Sequence, residues 1–185
     1  INNPNEIFLN IENQVRSRNE LEEGEEEGMF GLAFHPTENF FITSYTDMAN
    51  NLIFRKFQIN SSNSVIYENS EIVFSVPSSI KSHFGGNVIW SDHFKDFILS
   101  IGDMDQPHPT YSFYNHEPID TTSPRGKLLL LNSTDFSAEL LATTNLNNSR
   151  KDIIGYGLRN PWQTLEYDGY LFVTDIGLGV EEELN

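Results

Sequence analysis

Apolar residues enter this chain in short bursts. From Gly31 onward they form the runs GLAFHP, FFITSYT, NLIFRKFQI, EIVFSVP, NVIW, DFILSIGD, GKLLLLN, WQTLEY and YLFVTDIG, with Asn, Asp, Ser, Gly and Pro between them. Runs of about 4 to 9 residues bounded by turn formers read as strands. Phe, Ile, Val, Tyr and Thr dominate them, and these side chains suit a pleated, half-buried surface. No long segment holds a helical period, and AELLATTN after Phe136 reads either way. Ahead of Gly31 the one strand candidate is EIFLNI, followed by polar and then acidic sequence up to Gly28. The pattern predicts an all-β chain.

The runs repeat. FITSYTD at 41–47, FILSIGD at 97–103 and LFVTDIG at 171–177 superpose with Ser44, Ser100 and Thr174 equivalent, and each follows an apolar strand and a turn. Ser44 to Ser100 is 56 residues and Ser100 to Thr174 is 74. Both exceed the roughly 40–50 of common propeller blades, so loops must be inserted. The second insertion is MDQPHPTYSFYNHEPIDTTSPRG, residues 104–126. Recurrent small sheets of this kind predict a β-propeller, whose equivalent loops meet around one axis. Three blades cannot close a ring, so residues 1–185 are expected to be a partial propeller domain. Ile1 is not an initiator residue and the chain closes on EEELN, which fits truncation at both ends. Uneven spacing disfavours a β-helix, and a sandwich need not repeat at all.

Composition narrows the partners. With 27 acidic against 11 basic residues the net charge is −16, which argues against nucleic acid, since phosphate binding needs clustered Lys and Arg. Six glutamates between Glu20 and Glu27 supply part of that charge, as a solvated loop would. The absence of cysteine excludes disulfides, thiolate nucleophiles and Cys-ligated metals. No stretch approaches the roughly 18 apolar residues of a membrane span.

Candidate chemistry gathers at three places. In SHFGGNVIWSDHFKDFILSIGD, residues 82–103, two strands flank a turn, so His83 and Asp103 should share one rim of the sheet. A carboxylate beside an imidazole fixes its tautomer and raises its basicity, the arrangement of a general base; the competing role for His83 is structural, at a sharp Gly-Gly turn. In IGYGLRNPWQ, Arg159 and Asn160 leave a strand just before Pro161. Arg159 offers a planar cationic fork for carboxylates, or else ties neighbouring loops through backbone carbonyls. In TDIGLGVEEELN, glycine-rich carbonyls beside Glu181, Glu182 and Glu183 suit Ca²⁺, which takes both kinds of oxygen; the alternative is a surface turn with solvated acids. His35 is expected to cap a strand end, His93 to sit on an exposed hairpin, and His108 and His116 to lie in the insertion. Met29, Phe30, Phe34 and Trp90 are expected in the core, and Trp162 between blades.

Taken in order, EEEGMFGLAFHP, SHFGGNVIW with ILSIGD, GYGLRNPWQ and TDIGLGVEEELN closely resemble the soluble PQQ-dependent glucose and aldose sugar dehydrogenases, a six-bladed β-propeller family. The resemblance runs from about Glu25 to the C-terminus. It implies oxidation of an aldose at C1 with hydride transfer to PQQ, His83 as general base and Asp103 beside it. It implies that Arg159 and Asn160 contact the cofactor and that Glu26 lies near the substrate. It also implies Ca²⁺ held by the backbone carbonyls of Gly177 and Leu178 with Glu183 near, acting as a Lewis acid. Such enzymes work in the periplasm or outside the cell, pass electrons to an external acceptor, and can form homodimers.

Ile176 departs from the polar residue of glucose-oxidising members, and the 104–126 insertion has its own composition, so sugar preference does not carry over. The family also draws further basic cofactor ligands from blades beyond residue 185. Two rivals stand beside the dehydrogenase: a ligand-binding propeller of the Hedgehog-interacting type, which is generally rich in cysteine, and a propeller lactonase or hydrolase whose metal is bound by carboxylates such as Glu26 and Asp103.

Overall fold

Neighbouring runs pair antiparallel, because a turn of a few residues makes the next run the nearest source of backbone partners. The structure, a computed structural model, describes residues 7–15, 26–79, 81–104, 118–133, 152–177 and 183–185. Strands β1 (Met29–Phe34), β2 (Phe40–Thr46), β3 (Leu52–Ile59) and β4 (Val65–Val76) make the first sheet, in that order. Strands β5 (Gly85–Ser91), β6 (Asp96–Ile101), β7 (Lys127–Leu131) and β8 (Ile153–Tyr156) make the second. Strands β9 (Pro161–Tyr167), β10 (Tyr170–Asp175) and β11 (Glu183–Leu184) make the third. The all-β expectation and the three-blade propeller arc hold.

Alternation decides what each blade buries. On β2, Phe40 and Ile42 turn toward the second blade and join Leu52, Phe54, Phe84, Phe97 and Leu99 in the largest core cluster. Phe41 and Tyr45 turn the other way and pack with Ile53, Phe57 and Ile11. Both faces are therefore covered, and every residue of β2 is buried. Each fully buried phenylalanine here supplies about 1.5–3 kcal/mol of transfer free energy. Ile98, Leu128, Leu158 and Val173 form the smaller seam between the second and third blades.

The repeated hydroxyls clasp the blades. Ser44 Oγ accepts the Gly31 amide proton of its own blade at 2.9 Å and donates to the Gly86 carbonyl of the next. Ser100 does the same, accepting from Asn87 at 2.9 Å and donating to Pro161 O at 3.0 Å. Thr174 accepts from Gln163 at 3.1 Å. The sequence equivalence of the three positions thus has a hydrogen-bonding cause.

Some expectations need correction. EIFLNI is not a strand: Asn10 Oδ1 caps the Glu12 amide and the chain turns at 12–14, so residues 7–15 lie on the first blade and form only the isolated bridge Val15 to Asp47. Met29 and Phe34 are not core, being 54% and 49% exposed, because β1 is an edge strand with only Ala33 buried. Phe30 and Trp90 do pack against the core. AELLATTN, His108 and His116 lie outside the described residues.

Asp96 at the start of β6 accepts the amide protons of Ser133 at 2.6 Å and Phe97 at 3.1 Å. Burial pushes its carboxyl above the usual range, against those donors. A carboxyl raised on folding gives stability that is fully present below its unfolded value and is lost as pH rises through its folded one. Asp96→Asn removes the half-buried charge and keeps an acceptor. We expect its melting temperature to match or exceed wild type at pH 7, with the difference shrinking toward pH 4; thermal melts across that range test it, and a gap that widens on acidification would contradict it.

Candidate active site

The site begins at a bend that places a side chain. His83 adopts a left-handed backbone, φ 53°, just before β5, a region where His is enriched several-fold among non-glycine residues. Gly85 follows at φ 65°, and a side chain there would come within 2.9 Å of Gly102 N. β5 pairs with β6, Gly85 opposite Ile101, so the residue two beyond β6, Asp103, falls beside His83. The predicted pair is present: His83 Nδ1 lies 3.0 Å from Asp103 Oδ1, and both side chains are largely buried. Asp47 holds the repeat position of Asp103 in the first blade, where it caps a turn through Ala49 and Asn51.

Arg159 completes the imidazole's surroundings. Its Nη2 lies 2.7 Å from His83 Nε2. A guanidinium can only donate, so Nε2 is the acceptor and the ring proton stands on Nδ1, directed at Asp103. The two neighbours thereby select one neutral tautomer with its lone pair on Nε2. Arg159 Nη1 also donates to the carbonyls of Ile176 at 2.8 Å and Gly177 at 3.0 Å. The loop-tying role and the site role therefore occur in one side chain.

Asn160 is fully buried. Its Oδ1 accepts from Gly85 N at 3.0 Å, and its Nδ2 faces the Glu26 carboxylate at 3.3 Å. Glu26 Oε2 in turn accepts the His83 backbone proton at 2.8 Å. Glu26 thus comes from ahead of the first blade, His83 and Asp103 from the second, and Arg159 and Asn160 from the entry to the third. Of the remaining expected residues, Gly177 is at the Arg159 guanidinium, and Glu183 opens β11 opposite Asp175. Leu178 lies outside the described residues. Beside the cluster is a groove of about 280 Å³ whose lining includes Glu26, Phe30, Gly85, Asn87 and Trp162. Trp162 is partly exposed there and is not packed between blades. His35 caps a turn, accepting from Thr37 and Glu38, and packs tilted against Phe40 and edge-on to Trp90. No group of three or more His, Cys, Asp or Glu residues converges among the described residues as a metal cluster would.

Two contributors escape sequence reasoning. Lys127 is fully buried, its Nζ bound by the carbonyls of Pro118 at 2.8 Å and Arg125 at 2.6 Å, which fixes the end of the insertion against β7. Asp175 receives the backbone amides of Arg159 at 2.9 Å and Asn160 at 2.7 Å on its two oxygens. Burial pushes its carboxyl above the usual range; those two donors oppose the shift, and the charges of Glu183 and Asp103 add to it. The signal for Asp175 was a break in the repeat, a carboxylate where the other blades have Tyr45 and Ile101.

Residues 8–185 match the family model described as glucose/sorbosone dehydrogenase. Among solved structures, an oxidoreductase described as a glucose dehydrogenase from Thermus thermophilus superposes with a TM-score of 0.67 at 20% identity, over 87% of this chain and 48% of that one. The soluble aldose sugar dehydrogenase of Escherichia coli, in its apo-form, gives 0.63 at 19% identity over 87% and 47%. A third structure, named glucose dehydrogenase, gives 0.65 at 18% identity over 87% and 47%. No curated protein matches by sequence. The chain spans about half the length of the structures it resembles.

Proposed function

Because the chain belongs to the glucose/sorbosone dehydrogenase family, we propose that it carries the base and part of the cofactor cradle of a PQQ-dependent sugar dehydrogenase, which oxidises an aldose at C1. The observation that supports this most is the placement of the His83 imidazole, with Asp103 3.0 Å from Nδ1 and the Arg159 guanidinium 2.7 Å from Nε2.

The donors fit the group. Arg159 and the Asn160 amide offer a planar cation and a neutral donor, the set that anionic quinone carboxylates and carbonyl oxygens need. The Gly177 carbonyl is a hard oxygen of the type Ca²⁺ takes, with Leu178 and Glu183 as the further ligands proposed. PQQ, when bound with Ca²⁺, supplies the hydride acceptor.

The protein's own part is proton handling and placement. His83 Nε2 accepts the proton of the sugar C1 hydroxyl, and Asp103 stabilises the imidazolium that results. Arg159 must leave Nε2 before this, since a donor at 2.7 Å occupies the lone pair. An anionic partner on the guanidinium is the natural cause of its departure. Glu26 and Asn160 keep the His83 backbone in place. The groove beside them, with Trp162 and Phe30, offers aromatic faces for a sugar ring. The periplasm or the cell exterior is the proposed location.

The test is reconstitution of the protein as its host makes it. Purified apoprotein given PQQ and Ca²⁺ is expected to reduce a dye acceptor with one or more aldoses, and to lose that activity when either addition is omitted or Ca²⁺ is chelated. A folded protein that neither binds the quinone nor turns over any aldose would move the assignment to a ligand-binding propeller.

A further inference from the structure

We propose that Asp175 is a positioning residue whose two carboxylate oxygens fix the peptide between Arg159 and Asn160 and so aim the Arg159 guanidinium at His83 Nε2. Its catalytic consequence rests on the sugar oxidation proposed above; its geometry does not.

Consecutive backbone amides rarely meet one side chain in bidentate fashion outside a helix start or an anion nest. Here Asp175 Oδ2 takes the Arg159 proton at 2.9 Å and Oδ1 that of Asn160 at 2.7 Å. The carboxylate is 6% exposed, so water does not compete for these bonds, and they act at full directional strength. The next two residues finish the cradle. The Ile176 amide donates to Asn160 O at 3.1 Å, and the Ile176 and Gly177 carbonyls take Arg159 Nη1. The segment from Asp175 to Gly177 therefore grips the Arg159–Asn160 pair from backbone to guanidinium tip. A register pairing puts the carboxylate there: Asp175 lies opposite Pro161, across a bulge at the end of β10. Pro161 has no amide proton to occupy the ladder at that point.

Asparagine at this position keeps the shape and changes the chemistry. One amide oxygen still accepts, but the NH₂ faces a backbone N–H, donor against donor, and the peptide must tilt. The guanidinium then loses its line to Nε2.

The experiment is nitrogen-15 NMR of the His83 imidazole in the apoprotein, with no quinone or sugar present. Wild type is expected to show one neutral tautomer, protonated on Nδ1. Asp175→Asn and Arg159→Ala are both expected to move the Nε2 resonance toward that of an acceptor without a hydrogen bond, while Nδ1 keeps its proton on Asp103. Asp96→Asn, the same change at a half-buried acid that also accepts two backbone amides but touches no site residue, is expected to leave the wild-type pattern. In reconstituted protein, Asp175→Asn is expected to lower quinone affinity by about tenfold, as loss of an outer-shell partner does. A wild-type Nε2 resonance in folded Asp175→Asn, beside a shifted one in Arg159→Ala, would overturn the proposal. Amide hydrogen exchange on wild type covers the case in which the variant does not fold: the Arg159 and Asn160 amides should exchange as slowly as the β9–β10 ladder, and rapid exchange at both would overturn it too. Failure of sugar turnover in wild type with the Nε2 results intact would count against the dehydrogenase assignment alone.

Discussion

Replacing His83 by alanine should lower kcat for the proposed sugar oxidation by about a hundredfold to ten-thousandfold, the range that a positioned general base contributes, while binding of the proposed quinone persists. The split follows from the geometry. The imidazole makes its ring contacts with Asp103 and Arg159 only through its two nitrogens, whereas its backbone is fixed independently by Glu26. Truncation removes the proton acceptor and leaves the bend that carries it. It also frees the guanidinium, so anion binding should be retained or slightly tightened. Stopped-flow reduction of quinone-loaded protein by an aldose, with quinone titration in parallel, measures both quantities. Near-normal turnover in a folded, loaded variant would remove His83 from the chemistry and leave its pairing with Asp103 as a structural device.

The largest effect on stability should come from Gly102→Ala. A Cβ on Gly102 would stand 1.7 Å from the carbonyl oxygen of His83 and 2.5 Å from its carbonyl carbon, both backbone atoms with no flexible end to swing away. Neither side can yield cheaply. Gly102 donates to Phe84 O at 2.9 Å and accepts from Gly126 N at 3.0 Å, while His83 O accepts from Met104 N at 3.2 Å. Relief requires breaking at least one of these bonds in a buried place. The expected cost is about 3 kcal/mol or more, or roughly 6–12 °C in melting temperature for a chain of this size. Calorimetry decides it, and a shift within about 2 °C would mean the strands separate more easily than their hydrogen bonds suggest. Activity should fall with stability, because the clash pushes His83 from Asp103.

Much of this was legible before any coordinates. Strand after strand appeared as an apolar burst because both faces are covered: on β2 the second blade buries Phe40, and the 7–15 segment with its own blade's neighbours buries Phe41. The three hydroxyls announced the repeat because each accepts a backbone amide proton from the preceding strand of its own blade. The His83–Asp103 pair followed from hairpin geometry, a local rule. What stayed hidden depends on contacts distant in sequence. No periodicity foretells that Arg159 reaches across 76 residues to His83, or that Glu26 serves as a backbone acceptor for it. Met29 and Phe34 misled because hydrophobicity does not distinguish an edge strand from a central one. EIFLNI misled because one asparagine side chain outcompeted the ladder for a backbone amide.

The Ser44 and Ser100 clasps set the scale on which this arc can come apart. Hydrogen bonds within a blade join strands near in sequence, whereas the clasps couple each blade to its successor, as in a row of nearest-neighbour units, and the contact of Asn160 with Glu26 at 3.3 Å spans both seams. Glu26, His83 and Arg159 each stand just ahead of a blade's first strand. Opening one seam, a sub-global event well short of unfolding, is enough to scatter them while every sheet stays intact. A molecule held by groups from several blades would act as a crossbar over those seams. By mass action it would suppress the partial openings first, so protease sensitivity at the blade boundaries should report occupancy of the site sooner than any change in the global melt.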